Sequence, residues 1–216
     1  MPQGVRVRIS PGAPKVKVMK KNVFGLFSIP IMIIEEFISD NERLELINQI
    51  KKLEFGKHDA VTEGSTSTHF NGTTNLLHSI DTEKFDNLLE RINTQLNYFA
   101  EMYGLNTLEL TNSWVNRQTI GSKLKTHSHP DSKISGVLYL QTDDKSSQLY
   151  FYNPNPYNKI QNFNVTTEFN WSWYSLKPIN CQLILFPSWL EHGSNDDQNQ
   201  TDERIALSFN SNFRRI

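Results

Sequence analysis

His127-Ser128-His129-Pro130-Asp131, Leu185-Phe186-Pro187-Ser188-Trp189-Leu190-Glu191-His192 and Glu203-Arg204-Ile205-Ala206-Leu207-Ser208 are the blocks around which this 216-residue chain is organised. Side chains two apart on an extended strand point to the same face. His127 and His129 therefore reach one metal ion if their segment is extended. His192 comes about 65 residues later, far enough to return from an opposite wall. Arg204 carries a permanent charge in a planar fork that suits a carboxylate. In this order the blocks predict a metal and a small acid held inside a β-barrel.

The surrounding sequence supplies such a barrel. In Leu110–Gln118, Asn112, Trp114, Asn116 and Gln118 alternate with Ser113, Val115 and Arg117. Period-two segments recur at Ile134–Leu140, Gln148–Tyr152, Gln182–Phe186 and Arg204–Phe213. Two helices precede them. Ser39-Asp40-Asn41-Glu42 is a capping box, followed by Leu44, Ile47, Ile50 and Leu53 at helical spacing. Phe85, Leu88, Leu89, Ile92, Leu96 and Phe99 form a second stripe, with Thr82 as a candidate N-cap and Gly104 as the stop. Phe24–Ile34 reads as one or two short strands near a sheet edge, interrupted by Pro30. Helices followed by many short strands predict a β-sandwich or barrel with helices packed on one face.

Composition limits the function classes. The length fits one domain with an extension. The formal net charge of −1 points to neither nucleic acid nor a membrane as partner. Residues 1–21 form a basic arm carrying Arg6, Arg8, Lys15, Lys17, Lys20 and Lys21 and no acid. Removing those six charges leaves residues 22–216, the expected single domain, at about −7. One cysteine, Cys181, excludes an internal disulfide framework and a multi-cysteine zinc site. It fits a reducing compartment, so a cytoplasmic protein is expected. No apolar run is long enough to span a bilayer, and no signal peptide is visible. A homodimer is left open. His58, His69 and His78 lie in a polar stretch and read as solvated. Tyr150 to Tyr174 is dense in aromatics and reads as an insertion packed on the barrel, or as a lid or substrate wall.

These blocks resemble the Fe(II)- and 2-oxoglutarate-dependent dioxygenases, above all a group of oxygenases found in marine phages and bacteria. The matching segments are Trp114-Val115-Asn116, His127-x-His129-Pro130, Ser135-Gly136-Val137-Leu138-Tyr139-Leu140, Leu185 through His192, and Arg204 through Asn210. The resemblance implies a double-stranded β-helix, a jelly-roll form shared with cupins. It implies Fe(II), 2-oxoglutarate and O2 as cofactor and co-substrates. It implies His127 as the first iron ligand, His192 as the distal one, and Arg204 as the grip on the far carboxylate of 2-oxoglutarate. Tyr139 matches a tyrosine that bonds that carboxylate in prolyl-hydroxylase-like relatives. Ser208 shares the face of Arg204 and joins it in this reading, and Asn116 lines the pocket.

One departure matters. The wider superfamily has Asp or Glu two residues after the first histidine, and here His129 stands there. His129-Pro130-Asp131 supplies an alternative His-x-Asp pair, with Asp131 as ligand and His127 behind it. The position of His127 ahead of the Ile134–Leu140 strand favours the three-histidine set. Two functions from different classes stay in play: a hydroxylase of unidentified primary substrate, with a prolyl or peptidyl one as the guess from relatives, and a jelly-roll protein that binds metal or ligand without turnover. A cupin-type isomerase or thiol dioxygenase would use three histidines but would have no need of Arg204.

Overall fold

The computed structural model describes residues 28–59, 62–71, 75–79, 87–194 and 196–214. The basic arm and the proposed Thr82 cap lie outside the described residues. The N-terminal part holds β1 (Met32–Ile34), α1 (Asp40–Ile50), β2 (Gly56–Lys57), β3 (Thr62–Glu63), β4 (Thr66–Ser67), α2 (Leu76–Ser79) and α3 (Leu88–Met102). The strand-rich part follows with β5 (Leu108–Gln118), β6 (Lys123–Leu124), β7 (Ile134–Gln141) and β8 (Leu149–Tyr152). It ends with β9 (Trp173–Leu176), β10 (Leu183–Pro187), β11 (His192–Gly193) and β12 (Arg204–Phe213).

Seven strands form the major sheet in the order β1-β10-β7-β12-β5-β4-β2, and three form a minor sheet in the order β11-β8-β9. Together they make a double-stranded β-helix. Every named pairing in both sheets is antiparallel. The central strand is β12. It pairs with β5 from Arg204↔Gln118 to Phe213↔Leu108 and with β7 from Ile205↔Gln141 to Ser211↔Ile134.

Alternation then sorts the side chains of this sheet into two buried layers. Val115, Leu138, Leu185, Ile205, Leu207 and Phe209 face a core shared with Leu46, Ile50, Ile92, Leu96 and Phe99 of the helices. Val137, Tyr139, Ile184, Phe186 and Ala206 face the space between the sheets, where Leu149 and Phe151 of β8 meet them. The helices thus cover one face of the major sheet, as their apolar stripes require.

Local chemistry fixes the helices in place. Ser39 and Glu42 close the capping box that starts α1. Asn97 of α3 donates to the carbonyl of Leu108 and accepts from its N–H, at 3.0 and 2.8 Å. Asn93 accepts from the N–H of Leu110. Two amides on one helix face therefore dock α3 onto the free end of β5. Arg91 joins α3 to α1 through Glu42 at 2.7 Å. Among the described residues, no helix is long and apolar enough to cross a membrane.

At Gly136 the helix layer leaves no room for a side chain. A Cβ there would lie 2.3 Å from Cζ of Phe209 and 2.6 Å from Cδ2 of Leu185, both buried residues. Gly136→Ala is expected to destabilise the fold by ~1–3 kcal/mol through overpacking. Urea unfolding followed by circular dichroism measures it, and an unchanged midpoint would contradict the packing described.

Candidate metal centre

His127, His129 and His192 converge in the space between the sheets. One ring nitrogen from each lies within 4.8 Å of the other two. The ring centroids are 4.9 Å apart for His127 and His129, 4.3 Å for His127 and His192, and 5.3 Å for His129 and His192. Their placement comes from the main chain. His127 and His192 exchange both backbone hydrogen bonds, at 3.0 and 2.9 Å, across an isolated antiparallel bridge. The N–H of His129 donates to the carbonyl of Ser188 at 2.8 Å. His192 itself belongs to β11 and pairs with Phe151 of β8.

The ring tautomers follow from the partners. Nδ1 of His127 lies 2.7 Å from the carbonyl oxygen of Lys125, and Nδ1 of His192 lies 2.9 Å from that of Leu190. A carbonyl oxygen only accepts, so both Nδ1 atoms carry the proton. Each Nε2 is left with a lone pair, the form a metal requires. Burial lowers the pKa of all three rings. For His129 it falls to about 4, through burial first and then the charges of His127 and His69. His127 is lowered by burial, and His192 lies well below its ordinary value for the same reason. The centre therefore holds three neutral donors at neutral pH.

The cavity around them has an empty volume of about 540 Å³, counting its open mouth. Arg204 lies at its inner end and is 6% exposed. It stands directly opposite Gln118 across the β5–β12 ladder, and its Nη1 donates to Gln118 Oε1. Its guanidinium carbon is 5.0 Å from the centroid of the Tyr139 ring. Burial pushes the Tyr139 hydroxyl above the usual phenol range, against the opposing charge of Arg204, so the group stays a neutral donor. Three donor atoms here, Arg204 Nε, Gln118 Nε2 and Tyr139 Oη, are buried with no hydrogen-bond partner. Orphaned donors beside a buried cation fit a carboxylate. The donor chemistry at both ends of the cavity thus suits a divalent metal and a small acid.

The other expected site residues are placed as follows. Asn116 is buried opposite Ala206 and lines the cavity. Ser208 lines it too, opposite Trp114 and Val137. Four residues of strand separate its backbone from that of Arg204, roughly 13 Å, so it lies toward the Trp114 end. Asp131 is exposed and is not part of the three-histidine group. Two histidines read as solvated pack behind the site's wall, through Trp114. His69 packs edge to face against His58 at 4.8 Å and against Trp114 at 5.7 Å. Trp114 in turn lies 5.8 Å from His129. Nδ1 of both His58 and His69 is buried without a partner. Nothing in the polar run 57–80 signals this contact, because it depends on β4 pairing with β5.

The aromatic segment divides between the two faces of the minor sheet. Phe151 turns inward, 5.0 Å from Phe186 and 6.3 Å from His192. Tyr174, directly opposite Phe151 on β9, shares its face and stacks on Trp171 at 5.3 Å. Both remain at least 40% exposed, so this wall is open rather than packed.

Comparison with known proteins agrees with this geometry. Residues 112–210 match the family described as "Putative 2OG-Fe(II) oxygenase". No curated protein sequence matches the chain. Among solved structures, the prolyl-4-hydroxylase of Pseudomonas putida is similar with a TM-score of 0.61 and 14% identity, over 88% of this chain and 96% of that one. HygX of Streptomyces hygroscopicus, solved with nickel and 2-oxoglutarate, is similar with a TM-score of 0.58 and 13% identity, over 85% of this chain and 82% of that one. The viral collagen prolyl hydroxylase of Paramecium Bursaria Chlorella virus-1, a 2OG complex, has a TM-score of 0.54 and 15% identity, over 84% and 94%. At these identities the likeness is one of fold.

The buried rings make the stability of the metal-free protein depend on pH. An unfolded histidine takes up its proton near the ordinary value of 6.5, and folded His129 does so only at about 4. As pH falls, the unfolded state binds the proton first. The stability contributed by the neutral ring is therefore complete above about 6.5 and is lost as pH falls toward 4. The thermal midpoint of chelator-treated protein should drop across this window, and His129→Asn should flatten the slope.

Proposed function

We propose that His127, His129 and His192 hold an iron ion while Arg204 and Tyr139 hold 2-oxoglutarate, on the premise that residues 112–210 match the 2OG-Fe(II) oxygenase family, whose members use Fe(II), 2-oxoglutarate and O2. The observation that carries the assignment is the pairing of three metal-ready imidazoles with a buried, donor-only pocket in one cavity. Asn116 and Ser208 line the intervening wall.

Fe(II) with 2-oxoglutarate and O2 supplies oxidation of an unactivated C–H bond, with the oxo acid converted to succinate and CO2. The chain's own residues bind and orient. The protonated Nδ1 atoms of His127 and His192 keep both rings aimed inward. Arg204 neutralises the far carboxylate, and Tyr139 adds an O–H donor. Phe151, Phe186 and Leu149 dry the inner wall. Dryness strengthens the charge contacts and keeps water from competing at the reacting centre. Three neutral ligands leave the metal a full unit more positive than a site with one carboxylate. This departure favours, as a second reading, a jelly roll that binds metal or ligand without turnover.

We extend the proposal to a prolyl or peptidyl primary substrate, supported by the fold shared with proteins named as prolyl hydroxylases. Residues 22–216 would act as one domain in the cytoplasm, consistent with the single free cysteine; no nucleic acid partner is proposed, and a homodimer is left to measurement. Succinate formation after oxygen exposure of the Fe(II)- and 2-oxoglutarate-loaded protein tests the enzyme reading. Metal uptake without succinate, with or without proline-containing peptides, would favour the second.

Two sets of variants test the residues. His192→Ala should lose iron retention, whereas Asp131→Ala should keep it; full metal content in the His192 variant would refute the ligand set. Arg204→Ala should weaken 2-oxoglutarate binding to the Mn(II) form at least about tenfold, the loss of a charge-assisted hydrogen bond. Metal affinity should hardly change, and Tyr139→Phe should show a smaller loss of the same kind in calorimetry.

A further inference from the structure

We propose that Gln118 is a third binding residue for the distal carboxylate of the co-substrate, donating from its Nε2; this rests on the reading of Arg204 given above. Gln118 is 2% exposed and ends β5, directly opposite Arg204. The orientation of its amide is dictated by its neighbour. A guanidinium has only N–H donors, so the amide oxygen must face Arg204. The amide nitrogen then points elsewhere, and it is buried with no hydrogen-bond partner.

A buried N–H pair with nothing to bond is costly in a closed pocket. Gln118 borders the same cavity as Arg204, Tyr139 and the three histidines. The other two orphaned donors of that group are Arg204 Nε and Tyr139 Oη. A carboxylate has two oxygens and about four acceptor sites, enough for all three. A neutral ligand end would leave the guanidinium with only the distant charge of Asp197, and a metal would be repelled by it.

The backbone at Gln118 is also fixed independently of any ligand. Asn199, fully buried, donates from Nδ2 to the carbonyl of Thr119 at 3.1 Å and to that of Thr201 at 2.8 Å. The carbonyl of Gln118 lies 3.5 Å from the same nitrogen. One amide thus ties the end of β5 to the chain entering β12. Gln118 and Arg204 are held at a set separation, and both border the cavity.

The test compares two ligands that differ at the end in question. Anaerobic calorimetry on the Mn(II)-loaded protein measures binding of 2-oxoglutarate and of 2-oxobutyrate, a 2-oxo acid with no second carboxylate. Gln118→Met removes the amide, and Gln118→Glu keeps an oxygen for Arg204 while replacing the donor with a negative charge. The expected result is a loss of 2-oxoglutarate affinity of at least about fivefold in Gln118→Met and a larger loss in Gln118→Glu, with 2-oxobutyrate affinity unchanged in both. Unchanged 2-oxoglutarate binding in either variant overturns the proposal. Equal weakening of both ligands also overturns it, because Gln118 would then only be holding the strand. If Arg204→Ala leaves 2-oxoglutarate binding unchanged as well, the acid pocket itself has been misread. An effect at Arg204 with none at Gln118 removes this inference alone.

Discussion

A guanidinium enclosed between two sheets has to meet an anion, and much of this molecule is arranged around that demand. Arg204 opens β12, which is bonded on one side to β5 and on the other to β7. A surface arginine escapes burial by extending its stem into water. A central strand with neighbours on both sides blocks that route. Gln118, the polar side chain hydrogen-bonded to it, is neutral. Desolvation alone pulls the Arg204 pKa down, but a guanidinium keeps its charge in a protein. The charge therefore persists; Asp197 attracts it only from a distance, and Ala206, the next residue on that face, is small enough to leave the space beside it open.

The three-histidine end obeys the opposite logic. There, burial favours the uncharged form of each ring, and uncharged imidazole is the ligand form. The same low-polarity environment thus creates a fixed cation at one end and three neutral donors at the other. A dicarboxylate that reaches a metal with one end and a cation with the other meets both conditions at once. Neither end needs a protein nucleophile, and Cys181, buried in the helix-facing core, does not line the cavity.

Much of this was legible in the chain. Alternation gave Trp114 and Asn116 one face of their strand and Arg204, Ala206 and Ser208 one face of theirs, and the pairing of the two strands turns both sets toward the cavity. The capping box at Ser39 and the stripe through Leu88, Ile92, Leu96 and Phe99 corresponded to α1 and α3. What alternation cannot supply is register between strands distant in sequence. Gln118 shares the alternation of Trp114 and Asn116, yet only pairing with β12 sets it opposite Arg204. The packing of His58 and His69 behind Trp114 depends on two-residue strands, β2 on β4 and β4 on β5, and strands so short carry no periodic signal. Ser208 shows the converse limit: sharing a face with Arg204 does not bring the two within reach of the same group.

The double hydrogen bond between the main chains of His127 and His192 has a consequence for how this centre varies over evolution. Those bonds involve no side-chain atom, and the contact from His129 to Ser188 is likewise main chain to main chain. The directions in which the three side chains leave the backbone are therefore set whatever residues stand there. Such a framework behaves as a socket that accepts different plugs. An acidic residue at position 129 would inherit the same point of attachment and change the charge of the metal by one unit. The three-histidine form and the two-histidine, one-carboxylate form are then neighbours separated by one codon change in a scaffold that need not move.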